Sequence, residues 1–87
     1  MDDSILEQVR TVLIDTLKLD AAAREWSGDA PLFGSVPELD SLAVINVVTA
    51  IEDRFGIHIE DDEVSGELFA TLSALADFVE AKTRARR

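Results

Sequence analysis

Eighty-seven residues make room for one domain and one core, burying roughly 60–65% of the surface that an unfolded chain of this size exposes. The chain has no cysteine, which excludes disulfides, thiolate metal sites and a cysteine nucleophile. Eighteen acidic against eight basic residues leave a net charge of −10, a field that repels nucleic acid and anionic membranes and draws partners with basic patches.

The acidic start Met1-Asp2-Asp3-Ser4 is unlike a signal peptide, and no apolar run approaches the roughly 20 residues of a membrane span, so a cytoplasmic protein is expected. Ser4-Ile5-Leu6-Glu7 fits a capping box, in which a serine and a glutamate three residues on each satisfy a backbone donor of the other. Ile5, Leu6, Val9, Val12, Leu13 and Leu17 then fall within about 140° of arc, which predicts a helix over residues 4–18. Ile14 lies off that stripe and leans toward the following loop. Residues 19–40 keep no period: Asp20-Ala21-Ala22-Ala23-Arg24 suits one extra turn, and Gly28-Asp29-Ala30-Pro31 and Gly34-Ser35-Val36-Pro37 are turn chemistry. Trp26, Leu32, Phe33 and Leu39 are the expected anchors of this long loop, whose length marks function or counts against the assignment.

A second helix is predicted over residues 41–55. Either Asp40 or Ser41 suits its N-cap, and Gly56 its left-handed stop. Val44, Val47, Val48, Ile51 and Phe55 share one side, while Asn46, Thr49 and Asp53 share the other. Leu42 falls among the polar residues, so the helix opens with a leucine that its own periodicity leaves in water. Ile57-His58-Ile59 alternates like an extended connector, with His58 outward. Glu60-Asp61-Asp62-Glu63 lacks the alternating ligands and central glycine of a calcium loop and reads as a solvated helix entry. A short helix is expected within residues 61–69, beginning at Asp61 or Ser65. Thr71 caps a last helix over residues 72–83, with Leu72, Leu75, Ala76, Phe78 and Val79 inward and Lys82, Arg84, Arg86 and Arg87 complementing the dipole at its end. Those four hold half of the chain's basic charge, so up to residue 81 the net charge is −14. The sum is an all-α fold, a small bundle of three main helices plus one short helix with a long loop between the first and second. It forms a single domain with an ordered core over about 4–83 and a basic tail at 84–87.

Asp40-Ser41-Leu42 at the mouth of an apolar helix, followed by the exit Glu52-Asp53-Arg54-Phe55-Gly56-Ile57, resembles the second helix of an acyl carrier protein. With the length and the acidity, the resemblance covers about residues 5–79, and that family's long first loop matches residues 19–40. It implies that 4′-phosphopantetheine is attached to Ser41 by a phosphopantetheinyl transferase acting with coenzyme A. The terminal thiol, which this cysteine-free chain lacks, would carry an acyl group as a thioester. The resemblance further implies that the protein is not an enzyme but a monomeric carrier. It would dock to acyl-loading and acyl-transferring enzymes that set basic residues around a small apolar hollow. Leu42 and Ile45 would supply the apolar contact and Asp40, Glu52 and Asp53 the charge.

Two departures turn the expectation away from central fatty-acid synthesis. Pro37-Glu38 stands where the family favours a glycine two residues before the aspartate, and Ala43 and Asn46 stand where it favours acids. A stand-alone carrier for a dedicated biosynthetic pathway is expected. The alternatives are an aminoacyl or peptidyl carrier, and an acidic helical interaction domain that is never modified. A hydrolase built on Ser41 and His58 is excluded, because at 1.5 Å per residue they lie roughly 20 Å or more apart along one helix.

Overall fold

Three helices carry the chain in the computed structural model: α1 (Asp3–Leu17), α2 (Ser41–Phe55) and α3 (Leu72–Ala85). Single 3₁₀ turns at Ala21–Glu25 and Asp61–Glu63 sit in the two connectors. The structure describes residues 3–32, 36 and 39–85, with Asp3 and Ser4 described by their backbone only. Phe33, most of the second turn motif of the long loop, Pro37, Glu38 and the last two arginines lie outside the described residues. The expected all-α fold is the observed one; its only extended pairing among the described residues is an isolated bridge between Pro31 and Thr71.

The apolar stripe of α1 buries Val9, Val12, Leu13 and Leu17, with Ile5 and Leu6 packed at the margin of the same cluster. Ile14 is buried as well. The helix begins at Asp3, so Ser4 sits inside the first turn instead of ahead of it. Its other end closes on Lys18, which adopts φ 58 in the left-handed region, while the Leu19 N–H donates to the Ile14 carbonyl at 3.1 Å. Glycine usually occupies such a position.

The long loop is ordered by ties to helices on both sides. Asp20 caps the Ala21–Glu25 turn by accepting from the Ala22 N–H at 3.0 Å. Arg10 of α1 donates to the Trp26 carbonyl from Nε at 3.2 Å and from Nη2 at 2.8 Å, and also pairs with Glu7. Trp26 and Leu32 pack into the core as expected, and so does Leu39. Beyond Trp26 the chain runs beside the start of α3. Ser73 N–H donates to the Gly28 carbonyl at 2.8 Å, Leu72 N–H to Ala30 at 3.0 Å, and Leu32 N–H to Ala70 at 3.2 Å. Loop carbonyls thereby satisfy two of the four N–H groups that the first turn of a helix leaves without partners, and the Thr71 hydroxyl accepts from a third, Ala74, at 3.0 Å. Gly28 permits this approach, since a Cβ there would stand 3.2 Å from that of Ser73.

α2 buries Val47 and Ile51 completely and packs Val44, Val48 and Phe55 at the edge of the core, while Gly56 ends it at φ 65. α3 buries Leu72, Leu75, Ala76 and Val79. It continues to Ala85, so Arg84 belongs to the helix and not to a tail: residues 81–85 contain no glycine or proline to stop it, and Arg84 lies 3.6 Å from Glu80 one turn back. The expected short helix shrinks to the 3₁₀ turn Asp61–Glu63, closed by the Glu60 N–H donating to Glu63 Oε1 at 2.8 Å. Residues 66–69 follow as turns, and Gly66 among them disfavours any longer helix. Leu68 and Phe69 anchor this segment in the core.

Candidate functional site

The mouth of α2 is built by Asp40. Its backbone is extended, its carboxylate accepts from the Ala43 N–H at 2.8 Å, and its carbonyl accepts the first helical bond from Val44 at 2.9 Å. Asp40 is therefore the N-cap. Ser41 is the first helical residue and is exposed, with its hydroxyl not needed for capping. The first-turn N–H groups beside it have no partners within the helix and carry the positive end of its dipole.

A hollow of about 290 Å³ opens next to Ser41, lined by Val44, Ile45, Val64, Ser65, Gly66 and Phe69. A second, of about 230 Å³, shares Val44, Ile45 and Val64 and extends along α2 past Val48 to Glu52 and Ile59. One wall of this groove is α2 and the other is the connector between α2 and α3, from His58, Ile59 and Asp61 along the second hollow to Val64, Ser65, Gly66 and Phe69 along the first. On the outer side, Leu42 is 68% exposed and Ile45 61%; these are the exposed large apolar side chains among the described residues. Asn46, Thr49 and Asp53 are exposed along the same flank.

The charged candidates separate. Asp40 and Asp53 are exposed, although the Asp40 carboxylate also holds the cap. Glu52 is half-buried and turned to the connector: it accepts from the Ile59 N–H at 2.8 Å and lies 3.3 Å from His58 Nδ1. His58 is exposed as expected, and its Nε2 lies 3.2 Å from Glu60. In the acidic turn, the Lys82 ammonium at 2.7 Å, together with the Glu60 N–H, holds the Glu63 carboxyl below its ordinary value of 4.5. Among the described residues there is no cluster of metal-binding side chains, and no helix is long and apolar enough to cross a membrane.

Sequence reasoning placed Ser41, Leu42 and Ile45 on one end and flank of α2, and the structure brings them together there. It missed the opposite wall, Val64, Ser65, Gly66 and Phe69. The small residues at 65 and 66 were the only local sign of it, and a hollow has no signature until two segments face each other.

This geometry, an exposed serine heading a helix beside an apolar groove, defines a domain suited to carry a covalently tethered cargo. A family model described as the phosphopantetheine attachment site matches residues 7–79. The acyl carrier protein of Thermosynechococcus vestitus is 31% identical over 93% of this chain and 94% of its own. That of Guillardia theta is 32% identical over 97% of this chain and 98% of its own. The solution structure of a holo acyl carrier protein from Nitrosomonas europaea superposes with a TM-score of 0.85 at 46% identity, covering 91% of this chain and 95% of that one. The chain belongs to the acyl carrier protein family of phosphopantetheine-bearing domains. It is thus a carrier and not an enzyme; its cofactor is covalent 4′-phosphopantetheine, and its partners are phosphopantetheinyl transferases and acyl-handling enzymes.

Proposed function

We propose that Ser41 bears the phosphopantetheine arm and that the chain serves as a stand-alone acyl carrier for a dedicated biosynthetic pathway. The observation that carries this is the position of Ser41: exposed, first in α2, relieved of capping by Asp40 and set on the lip of an apolar hollow. A phosphodiester at this oxygen suits the positive end of the helix, whose first N–H groups can donate to an anion. When attached, the arm supplies a terminal thiol that holds acyl groups as thioesters. Val44, Val64 and Phe69 offer an apolar cargo surface out of water.

Docking falls to the outer flank. Leu42 and Ile45 supply apolar contact, and Asp40 and Asp53 set negative charge around it for an enzyme with a basic patch. Glu52, turned inward, contributes by fixing the connector as much as by its charge. Ala43 and Asn46 leave two positions of this helix uncharged, which favours partners other than those of central fatty-acid synthesis. The carrier works as a cytoplasmic monomer.

The test is intact mass after incubation with coenzyme A and a broad-specificity transferase. Wild type should gain one arm, and Ser41→Ala should gain none while melting at the wild-type temperature. Unchanged wild-type mass with several competent transferases would remove Ser41 as the attachment site.

A further inference from the structure

Lys82 reaches from the last turns of α3 to the turn that precedes the hollow's outer wall. Its Nζ lies 2.7 Å from Glu63 Oε1 and 5.6 Å from the centre of the Phe78 ring. Both partners are partly withdrawn from solvent, with side chains 27% and 29% exposed, so water screens the pair less than an open surface pair. The same Glu63 oxygen accepts from the Glu60 N–H, which closes the turn. Val64, the next residue, lines both hollows.

The wall itself has little stiffness of its own. Between Ile59 and Leu68 it contains one 3₁₀ turn and no α-helix, and Gly66 has open space where a Cβ would stand. A single turn is not self-supporting, so its position is set by its ties. Glu52 holds the near end through the Ile59 N–H, and buried Leu68 and Phe69 hold the far end. Between them Val64 packs against the edge of the core, and Glu63 adds a charged tie, to Lys82. The lowered pKa of Glu63, whose largest cause is its hydrogen bond with Lys82, agrees with an ammonium that is held in place.

We propose that Lys82 and Glu63 form a latch that holds the 64–69 wall closed over the hollow beside Ser41, so that the end of α3 sets how often cargo carried at Ser41 is exposed to water and to partners. The two are positioning residues: neither lines the hollow. The device rests on the reading of Ser41 as the attachment site.

Lys82→Met keeps the stem over Phe78 and removes the charge; Glu63→Gln keeps an acceptor for Glu60 and removes the charge. In the unmodified chain, amide hydrogen exchange at residues 64–69 should quicken about two- to fivefold in either variant, with no further gain in the double variant and no change in α1. The arm is then attached from butanoyl-coenzyme A by the transferase, and hydroxylamine cleavage of the thioester is timed. Because cleavage draws on the same open state, it should quicken by the same factor. Unchanged exchange at 64–69, additive single variants, or faster exchange with unaltered cleavage would each overturn the latch. An absent mass gain on wild type would remove the attachment site and the latch's role together, and intact mass tells that failure from the others.

Discussion

Leu42 and Ile51 lie on opposite sides of one helix and separate recognition from folding. Ile51 is completely buried and Leu42 is 68% exposed. Ile51→Ala should cost about 2–5 kcal/mol, the range for emptying a core site, whereas Leu42→Ala should stay within about ±0.5 kcal/mol. Leu42→Ala should nevertheless slow arm transfer at saturating coenzyme A. Denaturant unfolding and transfer rate, measured on the same samples, check both halves; equal destabilisation would mean that the leucine supports the core. Asp40 carries two duties that a pair of variants can divide. Asp40→Ala removes the acceptor for the Ala43 N–H and should cost about 1 kcal/mol, while Asp40→Asn keeps an acceptor and should cost a few tenths. If charge at the helix mouth steers the transferase, both variants slow modification equally despite their different stabilities. Slowing by the alanine variant alone would assign Asp40 to capping only.

At the scale of elements, α2 is a self-contained unit, whereas the connector opposite it depends on others. α2 has its own cap, its own left-handed stop and a buried stripe. The connector is held from α2 by Glu52, which accepts from the Ile59 N–H, and from α3 by Lys82, which pairs with Glu63. This tie responds to pH with a definite sign. The Glu63 carboxyl titrates below its ordinary value of 4.5 chiefly because of Lys82, so its stabilising contribution is complete above that value. It is lost as the pH falls through the lower, folded value. The groups that act on it are Lys82 on α3, then the Glu60 N–H that donates to it, and more weakly His58 on the connector. The gap in unfolding midpoint between wild type and Lys82→Met should therefore be present at neutral pH and shrink steadily below pH 4.5. Paired urea melts across that range measure it, and a gap independent of pH would mean that Lys82 acts through its ammonium over the Phe78 ring and not through Glu63.

The whole molecule is an acidic body ending in basic residues, with net −14 up to residue 81 and four cations after it. Lys82 and Arg84 pair with Glu63 and Glu80, neither of which lies on α2, so these pairs leave the Asp40 and Asp53 charges beside that helix in place. An enzyme with a basic patch should be steered toward that field over roughly a Debye length, about 10 Å at 0.1 M salt. The second-order rate of arm transfer should fall as salt is raised through that concentration, with the loss mainly in association. Asp53→Asn should flatten the dependence without altering the melting temperature, since Asp53 is exposed. A rate that is flat with salt would remove steering from recognition.

The three helices, their inward stripes and the exposed Ser41 and Leu42 were legible in the sequence because each depends on spacing within one segment. A 100° step places Leu42 opposite Ile51 whatever the rest of the chain does. The choice between Asp40 and Ser41 as N-cap was open, because both side chains carry an acceptor; the extended backbone at Asp40 and its reach to Ala43 decide it. Other features join residues far apart in the chain and have no local period to betray them. Residues 28–32 complete the start of α3, Arg10 holds Trp26, Glu52 turns inward to Ile59, and Lys82 crosses to Glu63. The hollow beside Ser41 is of the same kind. Val44 and Ile45 form one side of it as a consequence of helical geometry, but a cavity needs a second wall. Only the folding of residues 64–69 against α2 supplies it.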